Sequence, residues 1–418
     1  MKSDNRRYVP LLDVFRATAA WWVLFYHTWQ RFGPDLSQWV GHNPVMVMGS
    51  QGWLAVSIFI MLSGYSLSLG LRRGEIMWSA YLKARWLRIA PLYLVVFAVG
   101  TLAVTSAGAV PTTGSFLAGM SMLPIPGAFS PGPWLDTSWS VRVELVLYLF
   151  LPVFVYAARR YRPVPLLLMA GALALVVFPA LYSQAYMMDI LYGGLPGRLV
   201  EFAVGFAIGY AGRVVHARSR RVALAVGCFG FVGLSFVTNR AGGHYNISPA
   251  MRVAVFLAVL VFGALLLIAA GQRAKPSRNR LVPLLAAVGS WSYSTYLWHM
   301  VVLKLLIAPL LFDQETFLGH RASFAVGMVL MIAIVLALSW ASYNLIELPF
   351  LSMRPQYIKA GTAGTGGEVS AEPPAPQPAA TSIRAHRQGG PLPRPPVPMT
   401  RHGRTEPTAE SVGAGGRA

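Results

Sequence analysis

The first long apolar run of the chain, LLDVFRATAAWWVLFYHTW, carries three groups able to do chemistry: Asp13, Arg16 and His27. Arg16 and His27 are eleven residues apart. At about 100° per residue that is three turns plus roughly 20°, so one helix stripe holds both, about 16 Å apart along the axis. Asp13, three residues before Arg16, has the spacing of an ion pair on that stripe, and the small Ala20 leaves room between the two groups. A second run opens Trp139-Ser140-Val141-Arg142-Val143-Glu144, which puts Ser140 and Glu144 one turn apart on a shared face. An imidazole with a carboxylate at matched depth has the parts of a general base: the acid fixes the tautomer of the ring, and the ring removes a hydroxyl proton. A third run starts with Arg198 and Glu201, followed by Gly205 and Gly209 as a small-xxx-small face suited to close helix packing. Arg85 and Arg88, one turn apart, have the spacing to grip a phosphate. Plainer readings stand beside these. Asp13 and Arg16 serve as interfacial anchors, His27 as an interhelical hydrogen-bonding group, Glu144 as a partner for Arg142, and the Arg85–Arg88 pair as part of a basic inner loop.

These residues need helices in a membrane to position them. Of the 418 residues 55% are hydrophobic and only 12% charged, about half the charge of an ordinary globular chain. Apolar runs long enough to cross a bilayer recur at about 10–30, 52–70, 89–106, 139–157, 164–181, 197–212, 222–238, 250–270, 285–308 and 323–346. The expected fold is therefore all-α and polytopic, with about ten transmembrane helices. Alternate connections are basic. Lys2, Arg6 and Arg7, the clusters at 72–88, 159–162, 213–221 and 273–280, and Arg354 place 20 of the 35 Lys and Arg residues on one side. The other side has six at most, and 107–138 has none. By the positive-inside pattern both termini are cytoplasmic, in a plasma (inner) membrane. The net charge of +20 is then explained by topology and anionic membrane lipid, and no nucleic acid is called for. Charges at Asp13 and Arg16 exclude a cleaved signal peptide, and the single Cys228 excludes a disulfide scaffold. The division expected is a transmembrane domain over 1–354 and a disordered Pro/Gly/Ala-rich cytoplasmic tail over 355–418.

Six fragments in order resemble the acyltransferase-3 family of multi-spanning membrane O-acyltransferases: Arg16-x10-His27, GWLAVSIFIMLSGYSLS at 52–68, Arg85-x-x-Arg88-x-x-Pro91, Trp139-Ser140-x-x-x-Glu144, SWSYSTYLWH at 290–299 and YNLIELPF at 343–350. The resemblance covers about residues 8–352. It implies transfer of an acyl group, most often acetyl, from cytoplasmic acyl-CoA to a hydroxyl. In that frame His27 is the general base and Glu144 orients it. Arg85 and Arg88 hold the anionic nucleotide end of the donor, with Arg16 lining the path inward. Trp139 and Ser140 belong to the substrate region. Transfer through a covalent acyl-histidine is the mechanistic alternative. Two features depart from the pattern. Ala55-Val56-Ser57 stands where many relatives carry Gly-Val-Asp, and the tail has no serine-hydrolase-like nucleophile motif.

Other residues admit two readings. His299 is either a second catalytic histidine or, as we favour from sequence, a structural or tunnel-lining group. The long outer connection 107–137 carries Trp134 and Asp136, a pair suited to a sugar and equally to an interfacial anchor. No Cys/His/carboxylate spacing suggests a metal, and no Gly-x-x-x-x-Gly-Lys loop suggests nucleotide hydrolysis. The expected acceptor is an envelope or exported carbohydrate or glycolipid. Two alternatives stay open: acylation of a macrolide-like or other small natural product, and a transporter of a lipid-linked sugar that does no covalent chemistry.

Overall fold

The computed structural model describes residues 10–31, 49, 51–71, 74–108, 110–123, 135–160, 194–211, 281–311 and 319–360, with a few positions between 221 and 233. Seven of the ten expected spans fall on described helices. The expected spans at 164–181 and 250–270 lie outside the described residues, and that at 222–238 does so in larger part. Helix α1 is Pro10–Arg31. A 3-10 turn, Gly52–Leu54, leads into α2, Ala55–Leu71. Strand β1 is Gly74–Ile76, and α3 is Trp78–Ser106. Then come α4, Thr113–Met120, a 3-10 turn at Asp136–Ser138, α5, Trp139–Arg160, and α6, Leu195–Ala211. The last group is α7, Leu281–Ser290, α8, Ser292–Val302, α9, Ala308–Leu311, α10, Gly319–Ser342, and α11, Leu348–Ser352, followed by β2, Ile358–Ala360. Among the described residues, five helical stretches are long and apolar enough to cross a membrane.

Helix α1 is not among those five, because its charged stripe lowers its hydropathy. It lies inside the bundle instead, packed on α2, α7 and α8, with Ala17, Ala19, Ala20, Val23 and Leu24 buried. Among the described residues α2 and α6 make the most extensive helix contact. A Cβ at Gly205 would run into the Met61 carbonyl, and one at Gly209 into Ser68. The small-xxx-small face therefore does what its spacing predicts. Between lipid-like surfaces there is no hydrophobic drive to bring helices together, so close backbone approach and van der Waals contact must supply it.

Three expectations change. The single span over 285–308 is two helices, broken at Trp291, whose N–H bonds back to the Val288 carbonyl. The break follows Gly289, where a Cβ would meet the Asp13 backbone of α1. The connection 107–137 contains a helix, α4, opened by Thr112, whose hydroxyl accepts from the Ser115 N–H at 3.3 Å. The tail expected to be disordered from 355 begins with an ordered segment. Its strand β2 pairs antiparallel with β1, Glu75 opposite Lys359, and Met77 N–H donates to the Tyr357 carbonyl at 2.9 Å. Single turns of π-helix interrupt the helical runs at Leu303–Ile307 and Tyr343–Glu347. Such turns often mark functional positions, and the second presents Glu347.

Candidate functional site

Helices α1, α2, α3, α5 and α8 surround a cavity of about 100 Å³. Arg16 reaches it from α1, Ser63 and Ser66 from α2, Arg85 and Arg88 from α3, Ser140, Glu144 and Tyr148 from α5, and Tyr293 and Tyr296 from α8; Arg354 closes it beyond α11. Residues from distant parts of the sequence thus share one polar chamber. The Asp13–Arg16 pair forms as its spacing predicts, at 2.5 Å, and Arg16 also donates to the Ser66 hydroxyl at 3.2 Å.

The two arginines of α3 are held differently. The Arg85 guanidinium lies 5.4 to 5.7 Å from the ring centroids of Tyr81, Tyr148 and Tyr357, and it donates to the Tyr357 hydroxyl at 3.4 Å. A cation enclosed by aromatic faces keeps its charge while losing much of its water. Arg88 pairs with Glu347 at 3.6 Å and stands over the Tyr293 ring. Glu347 is itself hydrogen-bonded by Ser294.

Glu144 accepts from Ser63 and from Tyr148, the latter at 2.5 Å, both on the same carboxylate oxygen. No hydrogen bond joins it to His27. Sequence reading has Glu144 orient His27; the structure does not bring the two into hydrogen-bond contact, and α5 turns the carboxylate into the cavity, to Ser63 and Tyr148. His27 does not line the cavity. Its ring, half-buried, lies against two others, Tyr26 at 5.1 Å and His299 at 5.3 Å between centroids. Tyr296 is the link between the two regions. Its ring faces the cavity and sits 5.6 Å from His299, while its hydroxyl bonds Ser140 at 2.7 Å and donates to the Thr137 carbonyl at 3.0 Å.

Trp139 does not reach the cavity; the Arg198 guanidinium stacks over its ring. Arg198 and Glu201 form a fully buried ion pair at 2.7 Å, with Ser57 donating to Glu201 at 2.7 Å and accepting from Arg198 at 3.1 Å. The serine that stands in place of the family's acid is therefore tied to a carboxylate from α6. Trp134 lies outside the described residues, and of Asp136 only the backbone, in a 3-10 turn, is described. Sequence reasoning missed Tyr148, although it is one turn from Glu144. It also missed Tyr357, and it counted Arg354 only as a topology marker. No local pattern marks these last two, because they come from beyond the last membrane helix.

The acyltransferase-3 family profile, described as an acyltransferase domain, matches residues 9–343. The chain belongs to the acyltransferase-3 family. It is an O-acyltransferase, and its apolar helices are those of a membrane enzyme. Three characterised proteins resemble it across most of their length. Acyltransferase MdmB of Streptomyces mycarofaciens is 27% identical over 325 residues, 71% of this chain and 79% of that protein. Nodulation protein 10 of Rhizobium leguminosarum bv. viciae is 27% identical over 377 residues, 83% and 94% of the two chains. The exopolysaccharide production protein ExoZ of Rhizobium meliloti (strain 1021) is 25% identical over 345 residues, 78% and 97%. No solved structure matches. The acyltransferase profile ends before Arg354, which lines the cavity, and before Tyr357, whose hydroxyl bonds Arg85. With the family established, the reading of this chain as a non-enzymatic transporter falls away.

Proposed function

We propose that this acyltransferase moves an acyl group, acetyl in the simplest case, from cytoplasmic acyl-CoA to a hydroxyl of an envelope or exported carbohydrate. The observation that carries the reading is the meeting of Arg16, Arg85, Arg88, Ser140 and Glu144 in one cavity between helices. The arginine-rich end suits the phosphates of the nucleotide. A chamber of this size in the bundle suits the narrow arm that bears the thioester. A carbohydrate acceptor is favoured by the likeness to the exopolysaccharide production protein.

His27 acts as the base. It takes the proton of the acceptor hydroxyl as that oxygen attacks the thioester carbonyl; the carbon–sulfur bond breaks, and the imidazolium returns the proton to the departing thiolate. Acceptor hydroxyl and acyl-CoA become ester and CoA thiol. Because Tyr296 stands between the cavity and the histidines, the thioester must pass its ring to react. The test uses purified full-length protein, labelled acetyl-CoA and glycan acceptors. His27→Ala should abolish transfer while acetyl-CoA still binds, by a factor of at least about 100. Arg85→Ala/Arg88→Ala should weaken donor binding. Full transfer by a correctly inserted His27→Ala protein would remove the reading, and label appearing only on small-molecule acceptors would redirect it to natural products.

A further inference from the structure

His299 is completely buried, and its two ring nitrogens have unequal lives. Nδ1 lies 2.6 Å from the Tyr296 carbonyl oxygen one turn back on α8. A carbonyl can only accept, so Nδ1 carries the hydrogen and Nε2 keeps its lone pair. That Nε2 has no hydrogen-bond partner among the described residues. A buried acceptor left empty in a packed bundle is uncommon and calls for a reason. The neighbouring ring is His27, 5.3 Å away between centroids and tilted by 33°. Among the described residues no carboxylate hydrogen-bonds either ring: Glu144 is engaged by Ser63 and Tyr148 and Glu347 by Ser294 and Arg88. The exposed Gln30, one turn on from His27, interacts with its ring, and Lys304 is also near it; the Gln30 amide donates to the Tyr26 hydroxyl at 2.6 Å.

We propose that His299 is the positioning residue for His27: no bond joins the two rings in this structure, and a turn of the His27 ring brings its N–H to the open Nε2 when donor and acceptor bind, leaving the other His27 nitrogen as the acceptor for the hydroxyl proton. The proposal rests on His27 being the base. The Tyr296 carbonyl fixes the tautomer of His299, which in turn fixes that of His27. When His27 takes the proton of the acceptor hydroxyl it becomes imidazolium, and its bond to Nε2 becomes charge-assisted and stronger. The proton stays on His27 until the thiolate leaves and recovers it. An acceptor hydroxyl arriving from the exposed side takes the place of Gln30. A neutral imidazole does here the orienting work that a carboxylate does in other sites, without the cost of holding an ionised acid in a membrane bundle. The same α8 turn therefore serves both regions: the Tyr296 side chain walls the cavity, and its carbonyl sets the histidine pair.

Two amide substitutions separate this duty from a merely structural one. Asn places its amide near Nδ1 and keeps the bond to the Tyr296 carbonyl, whereas Gln places its amide near Nε2. In full-length protein with acetyl-CoA and a working acceptor, His299→Asn is expected to lower kcat about 100-fold with little change in KM for acetyl-CoA. His299→Gln is expected to recover about tenfold of that loss. Wild-type kcat in His299→Asn, or a loss in KM alone, would overturn the proposal. If the Asn variant gives no acetyl-CoA-binding protein, His299→Phe replaces it in the comparison. Failure of both to bind acetyl-CoA assigns the ring to the fold and overturns the proposal too. Failure of the underlying reading looks different, because His27→Ala would then itself remain active.

Discussion

Glu144 answers to two hydroxyls on one oxygen, and this makes Glu144→Gln a clean probe, since the amide oxygen can still accept both. The substitution removes the one carboxylate among the described residues that line the cavity, alongside Arg16, Arg85, Arg88 and Arg354. Loss of a negative charge among four cations favours an anionic donor by about 1 kcal/mol. KM for acyl-CoA should therefore fall roughly three- to tenfold, with kcat largely kept. A carboxylate that oriented His27 would instead lower kcat, so steady-state kinetics decide between the two duties. Arg198 and Glu201 show the other use of a buried charge. Sealed together with Ser57 at the α2–α6 contact, they hold helices rather than face the cavity. Removing one partner leaves an uncompensated ion, so Glu201→Ala should cost about 3–5 kcal/mol, read as a fall in melting temperature in detergent.

At the scale of elements, the pairing of β1 with β2 matters most. It carries Tyr357 back across the chain to the Arg85 cage, where the Tyr81 and Tyr357 rings meet edge to face at 5.5 Å. A chain ending at Ser352 loses this cover and should bind acyl-CoA several-fold more weakly, because a desolvated cation–aromatic contact is worth about 2 kcal/mol. A chain ending at Thr362 keeps the strand and should match the full-length protein in the same binding measurement. Helix contact has an equally direct probe. Gly205→Leu should separate α2 from α6 and collapse the yield of folded protein. Gly114→Leu, at a position with open space around it, should leave the yield unchanged.

For the whole molecule, the distribution of basic residues makes a claim about sidedness. In a Cys228→Ser background, a cysteine replacing Ser121 should react with a membrane-impermeant maleimide on intact cells. One replacing Glu75 should react only after permeabilisation. Both positions are exposed, so access to the reagent, rather than burial, sets the result. The opposite pattern would reverse the chain in the membrane and place the Arg85 end of the cavity outside the cell, away from acyl-CoA.

Periodicity and composition, read along the chain, were sufficient for the long helices of the described residues, the Asp13–Arg16 pair and the small-residue face of α6, because each depends on residues within a few turns of one another. Six ordered fragments were enough to suggest the family. What the line of residues could not contain is partnership across helices. Glu144 and His27 look matched in depth, yet rotation of α5 and α8 bonds the carboxylate to Tyr148 and sets the imidazole beside the His299 ring. The same holds for Tyr357, which lies 272 residues from Arg85 in the chain and meets it through the pairing of β1 with β2. Depth in a bilayer is written in sequence position, but azimuth about a helix axis relative to its neighbours is set only when the bundle packs.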